Sequence, residues 1–263
     1  MELWERRAAL DALDVLLKHS ADGGRIALIS GEAGIGKSAL LAEHARRSRM
    51  RARFLWGWCD RLITPRALGP LHDIAHQAGG ALAQRARSNA AQHELFGAFI
   101  DELTRPRQVP RPVVVVEDVH WADEATLDLL VFLGRRIQQM PALMLVTFRD
   151  DEIGPDHRHR GALAALPRDV VSWLTLAPLT RDCVLEQAAK VGLSGARIFG
   201  LTGGNPLLVT EMLRADVDAV PRAAQDLILD RLRSLPDSAR ELAIRSTNAA
   251  ISGSIGGRPG RFG

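Results

Sequence analysis

The 263-residue sequence predicts an α/β fold, a three-layer sandwich with a parallel sheet, followed by a small helical domain. Short apolar runs alternate with helical segments up to Pro178, which is typical of a parallel sheet with helices on both faces. Beyond this proline the strand pattern stops. We therefore expect a core at 1–178, a helical lid at 179–245 and, at 246–263, a Gly- and Arg-rich tail that is predicted to be disordered.

Five apolar runs have the length and composition of buried parallel strands. They are Ile26–Ile29, Phe54–Trp58, Val113–Val116, Ala142–Thr147 and Val170–Leu176. An amphipathic helix is predicted at 3–18, and helical segments at 66–104 and 124–138. Asp123 is a suitable N-cap for the last of these. Because the carboxyl ends of parallel strands meet at one edge of a sheet, polar residues that follow the strands are candidates for a site.

Composition excludes several classes of protein. A formal net charge of +3 is too small to argue for nucleic-acid binding. No apolar run approaches the roughly 20 residues that span a bilayer, and the N-terminus does not resemble a secretory signal. We therefore expect no membrane partner and a cytoplasmic location. Cys59 and Cys183 lack metal-site spacing and are expected to be reduced thiols.

A glycine-rich segment follows the first strand and precedes a helix. It fits the pattern G-x-x-x-x-G-K-[ST] without a mismatch. With the next helical residue, the predicted nucleotide-binding set is Gly31, Glu32, Ala33, Gly34, Ile35, Gly36, Lys37, Ser38 and Ala39. Glycines allow backbone N–H groups to approach phosphate, and the helix N-terminus adds partial positive charge. The catalytic Lys37 is expected to neutralise the β- and γ-phosphates, and Ser38 to bind Mg²⁺. This P-loop predicts ATP and Mg²⁺ as ligands.

Two adjacent carboxylates, Glu117 and Asp118, follow the valine run at 113–116. A buried strand that delivers two carboxylates to the edge of the sheet fits a Walker B strand. One carboxylate should hold Mg²⁺ and the other should orient the attacking water. The sequence leaves the division of roles open. By position, we assign the metal to Glu117 and the water to Asp118. The alternative is a strand that ends in a solvated acidic turn.

Arg149 follows the strand candidate Ala142–Thr147. In P-loop ATPases with an inserted strand, this strand lies between the P-loop strand and the Walker B strand. A polar residue at its end can contact the γ-phosphate, so we predict a catalytic or sensor role for Arg149. The alternative is an exposed arginine beside Asp150 and Asp151. His120 follows the Walker B acids, but a lone histidine in a loop is more often structural.

These segments together resemble the ATPase module of large ATP-binding LuxR-type transcriptional regulators, within the STAND class of AAA-like signalling ATPases. The P-loop is generic, whereas the Val-His-Trp-Ala-Asp and Thr-Gly-Gly-Asn-Pro segments are specific. The matching segments, in family order across 3–235, are Glu5-Arg6 with Leu10, Gly31–Ser38, Leu68–Asp73, Glu117–Leu127, Thr147–Glu152, Leu176–Leu179 and Thr202–Pro206.

The resemblance implies a P-loop NTPase fold that switches between ATP- and ADP-bound states, with ATP promoting self-association. It implies that Arg149 is the first sensor, and that Pro206 approaches the adenine from the helical lid. Trp4 and Arg6 would flank the base. From composition alone, the turn before Pro206 would be an ordinary helix start. Family members continue to a C-terminal helix-turn-helix. We find no DNA-recognition helix here and interpret the chain as truncated before that region.

The predicted activity is slow hydrolysis of ATP by a nucleotide switch. One alternative is an ATP-gated regulatory or scaffold module that does not hydrolyse its nucleotide. Another is an inert fragment of a larger regulator. The two carboxylates at 117 and 118 favour hydrolysis, because a module that only binds nucleotide does not need both.

Overall fold

The computed structural model describes residues 3–62, 66–88, 90–105, 110–152 and 158–214. The predicted tail, and the predicted lid beyond residue 214, lie outside the described residues. The strands are β1 (Arg25–Ser30), β2 (Ala52–Trp58), β3 (Arg111–Glu117), β4 (Leu143–Phe148) and β5 (Val171–Thr175). The helices are α1 (Arg7–His19), α2 (Lys37–Ser48), α3 (Gly69–Ala78), α4 (Gly80–Arg87), α5 (Gln92–Thr104), α6 (Glu124–Gly134), α7 (Arg158–Ala164), α8 (Arg181–Lys190), α9 (Gly195–Thr202) and α10 (Pro206–Arg214).

The five strands form one parallel sheet in the order β2-β3-β4-β1-β5. The predicted α/β fold class is therefore confirmed. Strand β4 lies between β1 and β3, as expected for a P-loop ATPase with an inserted strand. The carboxyl ends of β1, β3 and β4 consequently meet at one edge, where the P-loop, the two acids and Arg149 follow their strands.

Alternation along the strands divides the core between the two faces of the sheet. Val113 and Val115 pack on the face covered by α1 and α2, whereas Val114 and Val116 pack on the opposite face. Helix α1 contributes leucines at helical spacing to the first face, and α5 places the fully buried Phe99 on the other. Burial of apolar surface on both faces stabilises a parallel sheet of this kind.

Two predicted helix boundaries differ from the structure. Helix α1 begins at Arg7 rather than at residue 3, because Glu5 has a φ of 53° and its carboxylate accepts a hydrogen bond from the Thr180 N–H at 2.8 Å. The segment predicted helical at 124–138 leaves the α-helix after Gly134 and ends in a 3-10 turn. Pro141 limits only the 3-10 turn, since it has no N–H to donate to the Ile137 carbonyl.

Helix α3 covers the outer edge of β2. The Gln77 amide exchanges hydrogen bonds with the Trp56 backbone, at 2.9 Å to its N–H and 2.6 Å to its carbonyl. The Asp73 carboxylate accepts from the Trp58 N–H at 3.3 Å. These side chains satisfy backbone groups that an open edge strand would leave unpaired.

The chain forms two compact units. Among the described residues, the first extends to Cys183 and also includes Asn205–Leu207, and the second comprises Val184–Gly204 and 208–214. In the second unit, α9 approaches α8 closely at Gly195, where an added Cβ would lie 2.6 Å from the Leu185 Cα. Among the described helices, none has the length and apolar character needed to cross a membrane.

Candidate functional site

The glycine-rich segment wraps around the side chain of Lys37. This lysine begins α2 and is buried, and its Nζ donates hydrogen bonds to the carbonyls of Gly31 at 2.6 Å and Glu32 at 3.0 Å. Gly36, the N-cap of α2, has a φ of 97°, which a residue with a Cβ adopts only under strain. Burial lowers the pKa of Lys37, and the nearby Asp118 opposes that shift. The loop thus combines a helix N-terminus with a held ammonium group, which suits a polyphosphate.

Glu117 lies beside the P-loop at the end of β3. The Ser38 hydroxyl donates a hydrogen bond to its carboxylate. Trp58 pairs with Glu117 in the register of β2 and β3. Burial raises the pKa of Glu117, while the hydrogen bond from Ser38 and the nearby Trp58 side chain act in the opposite direction. The two predicted Mg²⁺ ligands, Ser38 and Glu117, are therefore in direct contact.

Asp118 adopts a left-handed conformation, with φ 57° and ψ 44°. Aspartate tolerates this region better than most residues, and the turn carries the chain from β3 into the 3-10 helix Val119–Trp121. The Asp118 N–H donates to the Thr147 hydroxyl on β4 at 3.0 Å, a contact that the sequence did not predict. Burial raises the pKa of Asp118, and the positive charges of Lys37 and Arg149 oppose the rise.

The end of β4 brings Arg149 into a cluster with residues that follow β3. Its guanidinium pairs with the Glu152 carboxylate and lies over the Trp121 ring, 5.1 Å from the centroid. The Trp121 indole N–H also donates to Glu152, at 3.2 Å. His120 Nε2 lies 3.7 Å from the same carboxylate. Sequence reasoning identified Arg149 but not Glu152, whose carboxylate is the centre of this cluster.

The His120 imidazole is buried beside Trp121, with 4.5 Å between the ring centroids. Within the described parts of the chain, neither ring nitrogen has a hydrogen-bond partner. Burial lowers the pKa of His120 to about 4, although the neighbouring Glu152 raises it. His120 is therefore neutral at physiological pH, which fits the structural role that the sequence favoured for it.

The Gly-Asn-Pro turn contacts the P-loop through the two neighbours of Pro206. The Asn205 amide donates to the Ala33 carbonyl at 2.8 Å, and the Leu207 N–H donates to the Gly34 carbonyl at 3.2 Å. An added Cβ on Gly34 would lie 2.9 Å from the Asn205 side-chain oxygen. Pro206 itself is the first residue of α10, a position that suits proline because the N–H it lacks is not needed there.

Arg6 connects the start of the chain to the same loop. Its side chain is buried, and Nη2 donates to the carbonyls of Ile35 at 3.1 Å and Ala177 at 2.8 Å. Burial lowers the pKa of Arg6, and the charge of Glu5 raises it. The Trp4 indole nitrogen is also buried, without a hydrogen-bond partner among the described residues. Arg6 thus supports the backbone of the P-loop, a contact for which the sequence gave no local signal.

The arrangement of Ser38 and Glu117 fits a magnesium ion that is shared with phosphate. In the described ranges, no group of three His, Cys, Asp or Glu side chains could hold a metal on its own. Mg²⁺ commonly takes one or two protein oxygens and completes its shell with phosphate oxygens and water. One hydroxyl and one carboxylate beside a phosphate-binding loop match that pattern.

A parallel sheet with a strand inserted between β1 and β3, a glycine-rich loop around a buried lysine, and two acids at the end of β3 define a P-loop NTPase. Residues 2–146, more than half of the chain, match the family model of the AAA ATPase domain. The chain belongs to this family.

A curated relative, an uncharacterised protein of Rhizobium meliloti, is 29% identical over 203 residues. The alignment includes 62% of this chain but only 19% of that protein, so the chain spans about a fifth of the length of its relative.

Solved structures with the same fold are far less similar in sequence. A STAND protein with a tetratricopeptide repeat sensor from Pyrococcus horikoshii is 16% identical, with a TM-score of 0.50 over 89% of this chain and 33% of that one. The Aeropyrum pernix ORC1 protein in complex with DNA is 16% identical, with a TM-score of 0.54 over 98% of this chain and 75% of that one. A Walker-type ATPase of Pyrococcus abyssi is 14% identical, with a TM-score of 0.57 over 94% and 77%.

Proposed function

We propose that the chain hydrolyses ATP slowly with Mg²⁺ and acts as a nucleotide switch. The observation that supports this proposal best is the direct contact between Ser38 and Glu117, next to Lys37 and with Asp118 one residue beyond. A hydroxyl and an ammonium group from the start of α2 thereby meet two carboxylates from the end of β3. A module that only bound nucleotide would not need the second carboxylate.

The chemistry follows from the position of each group. Mg²⁺, held by Ser38 and Glu117, would neutralise charge on the phosphates. Asp118 orients a water molecule for attack on the γ-phosphorus. The bond from water oxygen to phosphorus forms as the bond to the bridging oxygen breaks, giving ADP, inorganic phosphate and a proton. Lys37 and Arg149 stabilise the negative charge on the transferring group.

Phosphate release by the purified chain, with and without Mg²⁺, tests this proposal. We expect a slow Mg²⁺-dependent release that Asp118→Asn reduces by roughly 10²-fold, the usual scale for a positioned acid–base group. ATP binding without phosphate release would instead support the regulatory module that does not hydrolyse. Equal rates in the Asp118→Asn variant and the unaltered chain would exclude Asp118 as the water-orienting group.

We also propose that the chain is the regulatory ATPase part of a larger regulator of the LuxR type. The Val-His-Trp-Ala-Asp and Thr-Gly-Gly-Asn-Pro segments support this assignment, as does the fold shared with a STAND protein. ATP would promote self-association, and hydrolysis would reverse it. Sedimentation of the chain with MgATP and with MgADP tests the switch. Identical association states with the two nucleotides would exclude it.

The helical lid proposed at 179–245, with Pro206 near the adenine, has its own test. Proteolytic protection around 178–206 should rank ATP above ADP above no nucleotide, because only a ligand with different affinities for two states shifts their equilibrium. Cleavage at one rate under all three conditions would exclude a nucleotide-responsive lid.

A further inference from the structure

A cavity of about 620 Å³ lies beside the outer edge of the sheet, within the first unit. Residues of β2, α3 and α4, and of the segment before α3, form its walls. No residue of the P-loop and neither Walker B acid lines it. Its volume is in the range of small-ligand sites, which is about 300–1,000 Å³. The cavity is therefore separate from the nucleotide site and large enough for a ligand of its own.

The walls of the cavity carry an excess of positive charge. Among the described residues, Arg66 and Arg87 line it, together with two histidines and the single acid Asp73. In the described part of the chain, no carboxylate pairs with either arginine. By contrast, Arg85, two residues before Arg87 on the same helix, pairs with Glu94 at 3.6 Å. Guanidinium groups without a carboxylate can donate paired hydrogen bonds to a carboxylate or phosphate ligand.

Asp73 does not cancel this charge in the manner of an ion pair. Its carboxylate accepts a hydrogen bond from the backbone N–H of Trp58 on the edge strand β2. His72 responds to its surroundings, since burial and the positive charge of Arg66 both lower the pKa of the imidazole. The positive charge of Arg66 therefore acts on His72, which also lines the cavity.

Trp58 is the aromatic residue among those described that line the cavity. The residue is 45% exposed, although its ring is large and apolar. Trp56 stacks beside it, with 6.3 Å between the centroids and 15° between the planes. The Trp56 ring restrains the orientation of the Trp58 ring, so a planar ligand can stack on its exposed surface.

We propose that this cavity binds a small organic anion with a planar ring, the ring against Trp58 and the acidic group at Arg66 and Arg87. Aromatic surface alone would accept neutral rings, and arginines alone would accept any anion. The combination selects molecules that carry both features.

Occupancy of the cavity has a direct route to the proposed magnesium ligand. Trp58 is the register partner of Glu117 in the β2–β3 pair, and its side chain is close enough to the Glu117 carboxylate to influence the pKa of that group. A ligand that moves the Trp58 ring therefore changes the surroundings of Glu117. This second step rests on the proposed function of Glu117, whereas the binding step does not.

Calorimetric titration with naphthoate, in the presence of saturating MgADP, tests the binding step. Neutral naphthamide is the matched ligand. We expect naphthoate to bind and naphthamide to bind about tenfold more weakly or not at all. Arg87→Gln should weaken naphthoate binding about tenfold, while Arg85→Gln, on the same helix but outside the cavity, should leave it unchanged. Trp58→Leu should weaken binding of both ligands.

Equal affinities for naphthoate and naphthamide, or equal losses in Arg87→Gln and Arg85→Gln, would overturn the proposed site. Phosphate release with MgATP tests the coupling. At a naphthoate concentration near the Kd of the unaltered chain, naphthoate should change the rate at least about twofold in that chain and much less in Arg87→Gln, whose cavity is then mostly empty. A rate unaffected by naphthoate refutes the coupling. A chain that releases no phosphate under any condition refutes the proposed hydrolysis, while the binding result stands.

Discussion

Replacing Glu152 by glutamine should strengthen the preference of the chain for ATP over ADP. The Glu152 carboxylate pairs with Arg149 and accepts the indole N–H of Trp121. If Arg149 senses the γ-phosphate, as we propose, the phosphate must compete with this carboxylate for the guanidinium. Glutamine keeps the size of the side chain and an oxygen acceptor for Trp121, but it removes the negative charge that holds Arg149.

The structure sets the scale of the effect. The Arg149 side chain is 20% exposed and that of Glu152 is 35% exposed, so solvent screens the pair only in part. Exposed ion pairs contribute up to about 1 kcal/mol, and a partly buried pair should lie near the upper end of that range. A difference of about 1 kcal/mol corresponds to roughly fivefold in affinity. We therefore expect MgATP to bind about fivefold more tightly and MgADP to change less than about twofold.

Calorimetry with both nucleotides on three variants makes the test specific. Arg149→Gln should lose affinity for ATP. The double variant Arg149→Gln with Glu152→Gln should gain none of it back, since it lacks the guanidinium that the Glu152 substitution would release. Glu124→Gln, which breaks the exposed pair between Glu124 and Arg158, is the matched control and should behave as the unaltered chain. Equal gains for ATP and ADP, or a gain in the double variant, would refute the competition. A loss of ATP affinity in Glu152→Gln would show that Glu152 orients Arg149 toward the phosphate instead.

Three further outcomes are expected. Lys37→Ala should abolish tight ATP binding in calorimetry, because the P-loop holds this buried ammonium group where the phosphates are expected to bind; unchanged affinity would exclude the P-loop assignment. Glu117→Gln should raise the Mg²⁺ concentration needed for tight ATP binding, whereas Asp118→Asn should slow hydrolysis with MgATP still bound; exchanged phenotypes would reverse the two roles. His44 is fully buried and its pKa is lowered by that burial, so between about pH 7.5 and pH 5.5 protons bind more readily to the unfolded chain, and the free energy of unfolding should fall. In urea titrations His44→Leu should flatten this fall and the exposed His76→Gln should not; equal slopes in both would exclude His44 as the cause.

Local patterns in the sequence were sufficient to predict the strands of the sheet and the loop that follows β1. The run Ile26–Ile29 predicted β1, and the glycine spacing after it predicted a turn into α2. Each of these signals lies within about ten residues, the scale on which periodicity and turn chemistry act. The position of β4 between β1 and β3 was also foreseen, because it follows from the class of P-loop protein that the motifs indicate.

The contacts that organise the site act over much longer separations. Thr147 accepts from the Asp118 N–H across 29 residues, and Arg6 donates to Ile35 across 29 residues. Such bonds form only after distant segments have packed together, and a window of about ten residues does not contain both partners. Glu152 was inside a segment that matched the family, but nothing local marked its carboxylate as the partner of Arg149. The assignment of metal to Glu117 and water to Asp118 stays a prediction, which the contact with Ser38 supports.

The Gly-Asn-Pro turn shows how a motif can be found while its contacts are missed. The resemblance directs attention to Pro206, yet the bonds to the P-loop come from Asn205 and from the backbone of Leu207. Asn205→Ala removes a partly buried hydrogen bond to Ala33, worth about 1 kcal/mol, and the one that its side-chain oxygen accepts from the Leu207 N–H. It should weaken ATP and ADP binding equally, by roughly fivefold.

Pro206→Ala keeps both of those bonds and allows a helix to begin at the same residue. If the turn acts through its bonds to the P-loop, nucleotide affinity measured by calorimetry should fall in Asn205→Ala and be nearly unchanged in Pro206→Ala. The reverse pattern would mean that the proline ring contacts the base, as the resemblance implies, and that the hydrogen bonds of Asn205 serve only the fold. Thermal stability of the two variants is the control. If both lose the same stability, a general destabilisation cannot explain a difference in their nucleotide affinities, and that difference then comes from the site.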